Sequence, residues 1–420
     1  MNKVLFEIRD KAIRSYLATV HQAVLRRRVR RIGKKDKIQV VFFAMNVAMW
    51  RYQGVYEQLS REDRFACHIV LTVPLTVTKE QRTDDLKALR LFFDSKGIEY
   101  FDYDDKNDIA FDVKACIDPD ILFYPQPYEG AFPEKHAYSY FLSKLLCYIP
   151  YGMTLMNVGW YSDTKFHNLA WKLYYPFQID KDQARKYSRN RGVNMIISGY
   201  TNLDGYLCPK TNDVWKIKDK SIKRLIWAPH FSMPREGVWF THSNFLWMSQ
   251  LMIDIANRYK DQLQIAFKPH PRLKSELYLR QDWGPEKTEN YYRKWSEMDN
   301  TFVETGEYID LFKTSDAMIH DCDSFMIEYL FVNKPVAFVS KDITALKSEL
   351  SDFGEDVLSQ HYLLENQEDV VTYIEDVVLG GNDSLLFSRT GFFSEVLMPK
   401  ATGSTSEIIV NDIKKSLKMI

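Results

Sequence analysis

The segment Lys268-Pro269-His270-Pro271-Arg272 places an imidazole between an ammonium and a guanidinium. Two prolines restrict the backbone beside His270, so its ring is presented from a stiff stretch of chain. A histidine flanked by Lys268 and Arg272 suits an anionic phosphate, as hydrogen-bond donor or as acid. The plainer alternative is a turn histidine closing a strand.

A second set lies between Tyr308 and Leu330. Met318–His320 ends an apolar run, and Asp321-Cys322-Asp323-Ser324 follows where a helix should begin. Asp323 or Ser324 can cap that helix, whose unpaired backbone N–H groups can hold a diphosphate. Glu328 falls one turn later on the face of Ser324, where it can accept from ribose hydroxyls. An ordinary cap followed by an exposed glutamate is the alternative. Asp321 and Asp323 have the spacing of a metal-binding pair, but at a helix start they predict no required metal.

Three further segments are candidates. Trp227-Ala228-Pro229-His230-Phe231-Ser232 is another strand end, from which His230 can contact substrate. Gly403-Ser404-Thr405-Ser406 precedes the helical pattern Glu407–Leu417, so Ser404 and Thr405 form either an anion-friendly helix start or a common cap. In the first half, Tyr148-Ile149-Pro150-Tyr151-Gly152-Met153 ends a strand, with His136 and His167 on either side as possible bases or structural histidines.

The elements that position these residues alternate. Ile38–Ala44, His68–Val73, Ile98–Phe101, Ile121–Tyr124 and Leu145–Ile149 read as buried strands, separated by helical patterns through Leu59 and over Glu80–Ser95. A second series follows Asn194: strands Met195–Ser198, Arg224–Ala228, Gln264–Lys268, Ala317–His320 and Pro335–Phe338, with a helix over Phe245–Tyr259. Alternating strands and helices imply parallel pairing with right-handed crossovers. The expected fold is therefore α/β, with two doubly wound Rossmann-type domains facing a cleft, the GT-B architecture. Ligands in such sheets bind outside the carboxyl ends of the strands. The predicted divisions are a basic helix over 1–36, an acceptor domain over 37–190 and a nucleotide-donor domain over 191–420.

With 420 residues the chain exceeds the roughly 250–300 that one core supports. Its 56 basic and 56 acidic residues cancel, which argues against nucleic acid as a partner. Five scattered cysteines without metal spacing predict reduced thiols and a cytoplasmic setting. No stretch reaches the roughly 18–20 apolar residues of a membrane span, and the start lacks the apolar core of a signal peptide. Ile13, Leu17, Val20 and Val24 recur at helical spacing ahead of Arg26, Arg27, Arg28, Arg30, Arg31, Lys34, Lys35 and Lys37. Such a helix either docks on an anionic membrane surface, at about 1 kcal/mol per basic group, or packs on its own domain.

Together these segments resemble the CDP-glycerol glycerophosphotransferase family of teichoic acid and capsule synthesis. Ala228-Pro229, Lys268–Arg272, and Ser315-Asp316 followed by Asp321–Ser324 match its usual order, and Asn194–Asp204 looks like its lead-in to the nucleotide-binding half. The likeness runs from about Tyr148 to the C-terminus and is strongest from Arg224 to Pro335. It implies a CDP-linked donor, no required cofactor, a glycan or lipid-linked acceptor, and attachment to the inner face of the cell membrane. It carries His270 over as acting on the donor phosphate, Ser324 as a diphosphate binder and Glu328 as a ribose contact. One departure concerns the acceptor base. The family has Trp-His-Gly-Thr in its first half, whereas this chain has Pro150-Tyr151-Gly152-Met153-Thr154. A phenol near pKa 10 is a poor base, so His230 or His167 is the expected substitute, unless donor or acceptor differs.

The reaction so implied moves a polyol phosphate from a CDP-polyol to a hydroxyl of a surface glycan, releasing CMP. A glycosyltransferase of the same fold using a nucleotide-sugar is the nearest rival. A non-catalytic scaffold of a polysaccharide assembly complex is the rival of a different class.

Overall fold

In a computed structural model the described residues are 2–153, 155–157, 159–233, 242–306, 308–398 and 403–419. Thr154, the last residue of the 150–154 segment, lies outside them. The chain forms two compact units, one of residues 1–153, 158–204 and 399–420, the other of 154–157 and 205–398.

The first unit is built on six parallel strands: β1 Ile38–Ala44, β2 Phe65–Leu71, β3 Ile121–Tyr124, β4 Leu145–Tyr148, β5 Lys172–Tyr175 and β6 Met195–Ile197, in the order β2-β1-β3-β4-β5-β6. β1 shows why the sheet is parallel and central. Val40 and Phe42 enter the core on one face, while Val41 and Phe43 enter that on the other, as a strand covered on both sides requires. β2 starts three residues before the expected strand, because it pairs along the whole of β1 from Ile38 opposite Phe65. The expected strand Ile98–Phe101 shrinks to one bridge between Phe101 and Val70. Beyond it, Arg90 bonds the carboxylates of Asp102 and Asp105 at 2.9 Å and draws the chain into a turn.

Two expected boundaries move. β6 hydrogen-bonds β5 and so closes the first sheet rather than opening the second, placing the junction after Asp204 instead of at 190/191. The helix Thr405–Ser416 returns to the first unit, where Ile409, Val410 and Ile413 share a core with Val55 and Leu59.

The N-terminal helix runs over Asn2–Tyr16 and Gln22–Ile32, joined by a wider π turn at Leu17–His21. It packs on the first unit through Leu17, His21, Leu25 and Ile32, and His21 Nε2 donates to the Leu169 carbonyl at 3.1 Å. The predicted single stripe is therefore split. Leu17 turns inward, whereas Val20 and Val24 stay 53% and 38% exposed, because the π turn shifts the helical phase. No helix among the described residues is long and apolar enough to cross a membrane.

The second unit repeats the plan with β7 Lys223–Ala228, β8 Leu263–Phe267, β9 Thr301–Val303, β10 Ala317–His320, β11 Val336–Val339 and β12 Tyr362–Leu364, ordered β12-β11-β10-β7-β8-β9, all parallel. Trp227 stacks on Phe245 and Phe267 with ring centres 5.9 and 5.0 Å away, which fixes the helix Phe245–Arg258 against the sheet. Chain order reverses between β7 and β10. At such a switch point the following loops diverge to opposite faces and leave a crevice at the strands' carboxyl ends.

Candidate active site

The loops after β7, β8 and β10 meet at that switch point. Register sets them side by side, with His320 opposite Ala228 and Trp227 opposite Phe267. Asp321 ties two of them together. Its Oδ1 accepts from the His230 amide and its Oδ2 from the Asn244 amide, both at 2.5 Å. The third loop joins through its rings, with His270 at 4.9 Å from His230 and 4.4 Å from Phe231. Arg272 lies over the Phe231 ring at 4.2 Å and bonds Glu276 at 2.9 Å.

The backbone sets the tautomers. An amide can only donate, so the Arg272 N–H, 3.1 Å from His270 Nδ1, makes that nitrogen the acceptor. The neutral ring then carries its proton on Nε2. His230 is held likewise, its Nδ1 accepting from the Ser232 amide at 3.3 Å. Burial, then the charges of Arg272 and Lys268, push His270 down to about 4. Burial, then His270, His242 and Arg272, push His230 down to about 3. Both rings are thus neutral at pH 7.

Lys268, at the end of β8, is 7% exposed; its ammonium donates to the Gly306 carbonyl at 3.2 Å and lies 5.2 Å from the centre of the Tyr308 ring. Burial pushes it down to about 8, against the pull of Glu304, Cys322 and Glu328. Glu328 is buried, not the exposed glutamate of the plainer alternative. It is 1% exposed and accepts from the Tyr308 hydroxyl at 2.5 Å, so it positions Tyr308 and holds negative charge near Lys268.

The helix after β10 spans Asp323–Glu328, and its N-cap is Cys322, whose side chain makes no capping bond. Neither Asp323 nor Ser324 caps it, contrary to expectation, since they stand at its first and second positions. Their own N–H groups donate to no described residue, and the Ser324 side chain is exposed. Both Asp321 oxygens accept backbone amides, and no group of three or more metal-ligating side chains is found among the described residues. His270, His230, Lys268 and the 323–324 amides make a site rich in hydrogen-bond donors, chemistry that holds an anion.

The model of the CDP-glycerol:poly(glycerophosphate) glycerophosphotransferase family matches residues 187–415, which include every one of these groups. The chain belongs to that family. Among solved structures, the wall teichoic acid polymerase TagF as a variant soaked with CDPG aligns at 15% identity and TM-score 0.58, covering all of this chain and 98% of that one. A second TagF variant structure gives 13% and 0.55, covering 100% and 97%. UDP-GlcNAc 2-epimerase from Neisseria meningitidis, bound to UDP-GlcNAc, gives 13% and 0.55, covering 90% and 100%. These likenesses show the shared GT-B fold. No curated protein is similar enough in sequence to count as a relative.

Several expected groups of this glycerophosphotransferase-family chain stand elsewhere. Ser404 and Thr405 form no anion site, because the Asp204 carboxylate already accepts from the Thr405 and Ser406 amides at 2.7 and 3.0 Å, and Ser404 caps the Glu407 amide at 3.1 Å. His167 cannot act as base: its nitrogens bond Thr164 at 2.6 Å and Tyr175 at 2.8 Å, and it is 1% exposed. His136 is sealed in the same way between Thr72 and the Phe111 carbonyl. Tyr151 is partly exposed, and burial of its hydroxyl raises its pKa further above the ordinary phenol value. Sequence reasoning missed Tyr308, His242 and the stitching role of Asp321.

Proposed function

We propose that the protein transfers glycerol phosphate from CDP-glycerol to a hydroxyl of a teichoic-acid-like or capsular polymer, releasing CMP. The observation that carries this reading is the Nε2–H of His270 and the unbonded helix-start amides at the same carboxyl end of the second sheet, in a chain of this family. In the reaction His270 and the Ser324 amide hold the phosphate that is attacked, with His230 beside them. Lys268 and Arg272 offset the charge that moves onto departing CMP. Positioning and electrostatics carry most of the acceleration, and no cofactor is called for. Incubation with CDP-glycerol and a glycerophosphate-bearing acceptor should yield CMP and a longer polymer. Release of a nucleoside diphosphate from a nucleotide-sugar instead would make the chain a glycosyltransferase.

Lys268 gives the donor site a pH dependence. Its ammonium loses its charge as pH rises through about 8. Affinity for CDP-glycerol should fall through that range, and Lys268→Met should bind roughly 10–100-fold more weakly at neutral pH with a flat profile there, measured by titration calorimetry.

The reading also places the protein on the cytoplasmic face of the cell membrane. Val20 and Val24 are exposed on the N-terminal helix, and Arg27, Arg31 and Lys34 are exposed at its basic end. At about 1 kcal/mol per basic group, Arg27→Gln with Arg31→Gln should weaken sedimentation with phosphatidylserine vesicles roughly 30-fold and leave neutral vesicles unaffected.

A further inference from the structure

Transfer to a hydroxyl needs a proton acceptor, and the groups first expected to serve are spoken for. His136 and His167 are buried with both nitrogens bonded, and burial raises the Tyr151 phenol's pKa above its ordinary value. The rings of His230 and His270 accept backbone amides at Nδ1 and so carry their protons on Nε2. Both oxygens of Asp321 accept backbone amides, and Glu328 accepts from Tyr308.

Asp323 differs from all of these. No described residue donates to either of its oxygens, and Oδ1 is withdrawn from solvent without a partner. Buried polar atoms in folded proteins nearly always find a partner, so an orphan carboxylate oxygen calls for a ligand's donor. It stands on the residue whose amide, with that of Ser324, is also unbonded. The charged groups acting on it are His242 and Glu349, themselves paired at 3.5 Å, while Asp321 is its neighbour across Cys322. Burial and Glu349 raise the Asp323 pKa while His242 lowers it, the direction that makes a carboxylate more basic.

Resting on the donor reading above, we propose that the Asp323 carboxylate is the base that takes the proton of the attacking acceptor hydroxyl. As the O–H bond breaks, the acceptor oxygen bonds the glycerol-side phosphorus. The bond from that phosphorus to the bridging oxygen breaks, CMP leaves with the electron pair, and the proton on Asp323 passes to solvent. The family's first-half histidine thus has its counterpart here in the second unit, one residue from the proposed phosphate-holding amide.

The test is the pH profile of CMP release from CDP-glycerol by the full chain. Asp323→Asn keeps the shape and cannot take a proton. Its kcat should fall roughly 100-fold or more, with KM for CDP-glycerol unchanged or lower and the acid-side limb of the profile gone. Asp323→Glu should keep that limb, and it decides the matter if the asparagine variant does not fold. Wild-type kcat in Asp323→Asn, or a glutamate variant without the limb, would overturn the assignment and leave the donor reading standing. A wild-type protein that releases no CMP would overturn the donor reading itself, and this proposal with it.

Discussion

His270→Ala should lower CMP release from CDP-glycerol roughly 10²–10⁴-fold while leaving the fold intact, the largest effect on activity we expect. The reason is directional. The amide at Arg272 fixes the ring so that its one proton points from Nε2, and alanine removes the donor without disturbing the prolines that hold the loop. The ring packs mainly on His230 and Phe231 and is only half-buried, so the thermal midpoint should move little. His270→Gln restores an N–H at similar reach and should recover part of the rate. Lysine there would add a charge that the neutral ring does not carry, without the planar donor, and should recover less. Steady-state kinetics beside a melting curve separates these outcomes, and full activity in the alanine variant would remove His270 from the mechanism.

Asp321→Ala should produce the largest loss of stability, about 2–6 kcal/mol in the second unit for two unsatisfied buried donors. The carboxylate satisfies the His230 and Asn244 amides at once, and Asn244 in turn donates to the Val339 carbonyl at 3.0 Å. Deletion leaves two buried donors without acceptors and releases the loops that carry His230 and the start of Phe245–Arg258. Asp321→Asn should help little, since its NH₂ would face one of the two amides. Urea unfolding followed by tryptophan fluorescence reads the change, because Trp227 and Trp247 lie beside these loops. Stability equal to wild type would show that the stitch contributes nothing.

How far the sequence foretold this architecture follows from where each interaction has its partner. β1 and β10 were legible as apolar runs because both faces of each strand are buried, so burial leaves its mark on consecutive residues. β5, β9 and β12 were not. β9 and β12 are three-residue edge strands with one buried side chain each, too few to form a pattern, and β5 is only four residues long. His270 stood out because its prolines and cations are its immediate neighbours. The burial of Glu328 was not legible, since helical spacing tells which residues share a face but not that Tyr308 bonds one of them. The same holds at Ser404 and Thr405, where the occupant is Asp204 of a distant segment. Asp321 was unreadable as a stitch because its partners are backbone amides, which every residue but proline presents.

The central claim is that one phosphate is held by the His270 ring and the helix start after β10. A structure of the protein in complex with CDP-glycerol tests it most directly. The account predicts the glycerol-side phosphate about 3 Å from both His270 Nε2 and the Ser324 amide nitrogen. A pyrophosphate bound elsewhere, with the imidazole turned from it and those amides still unbonded, would contradict it.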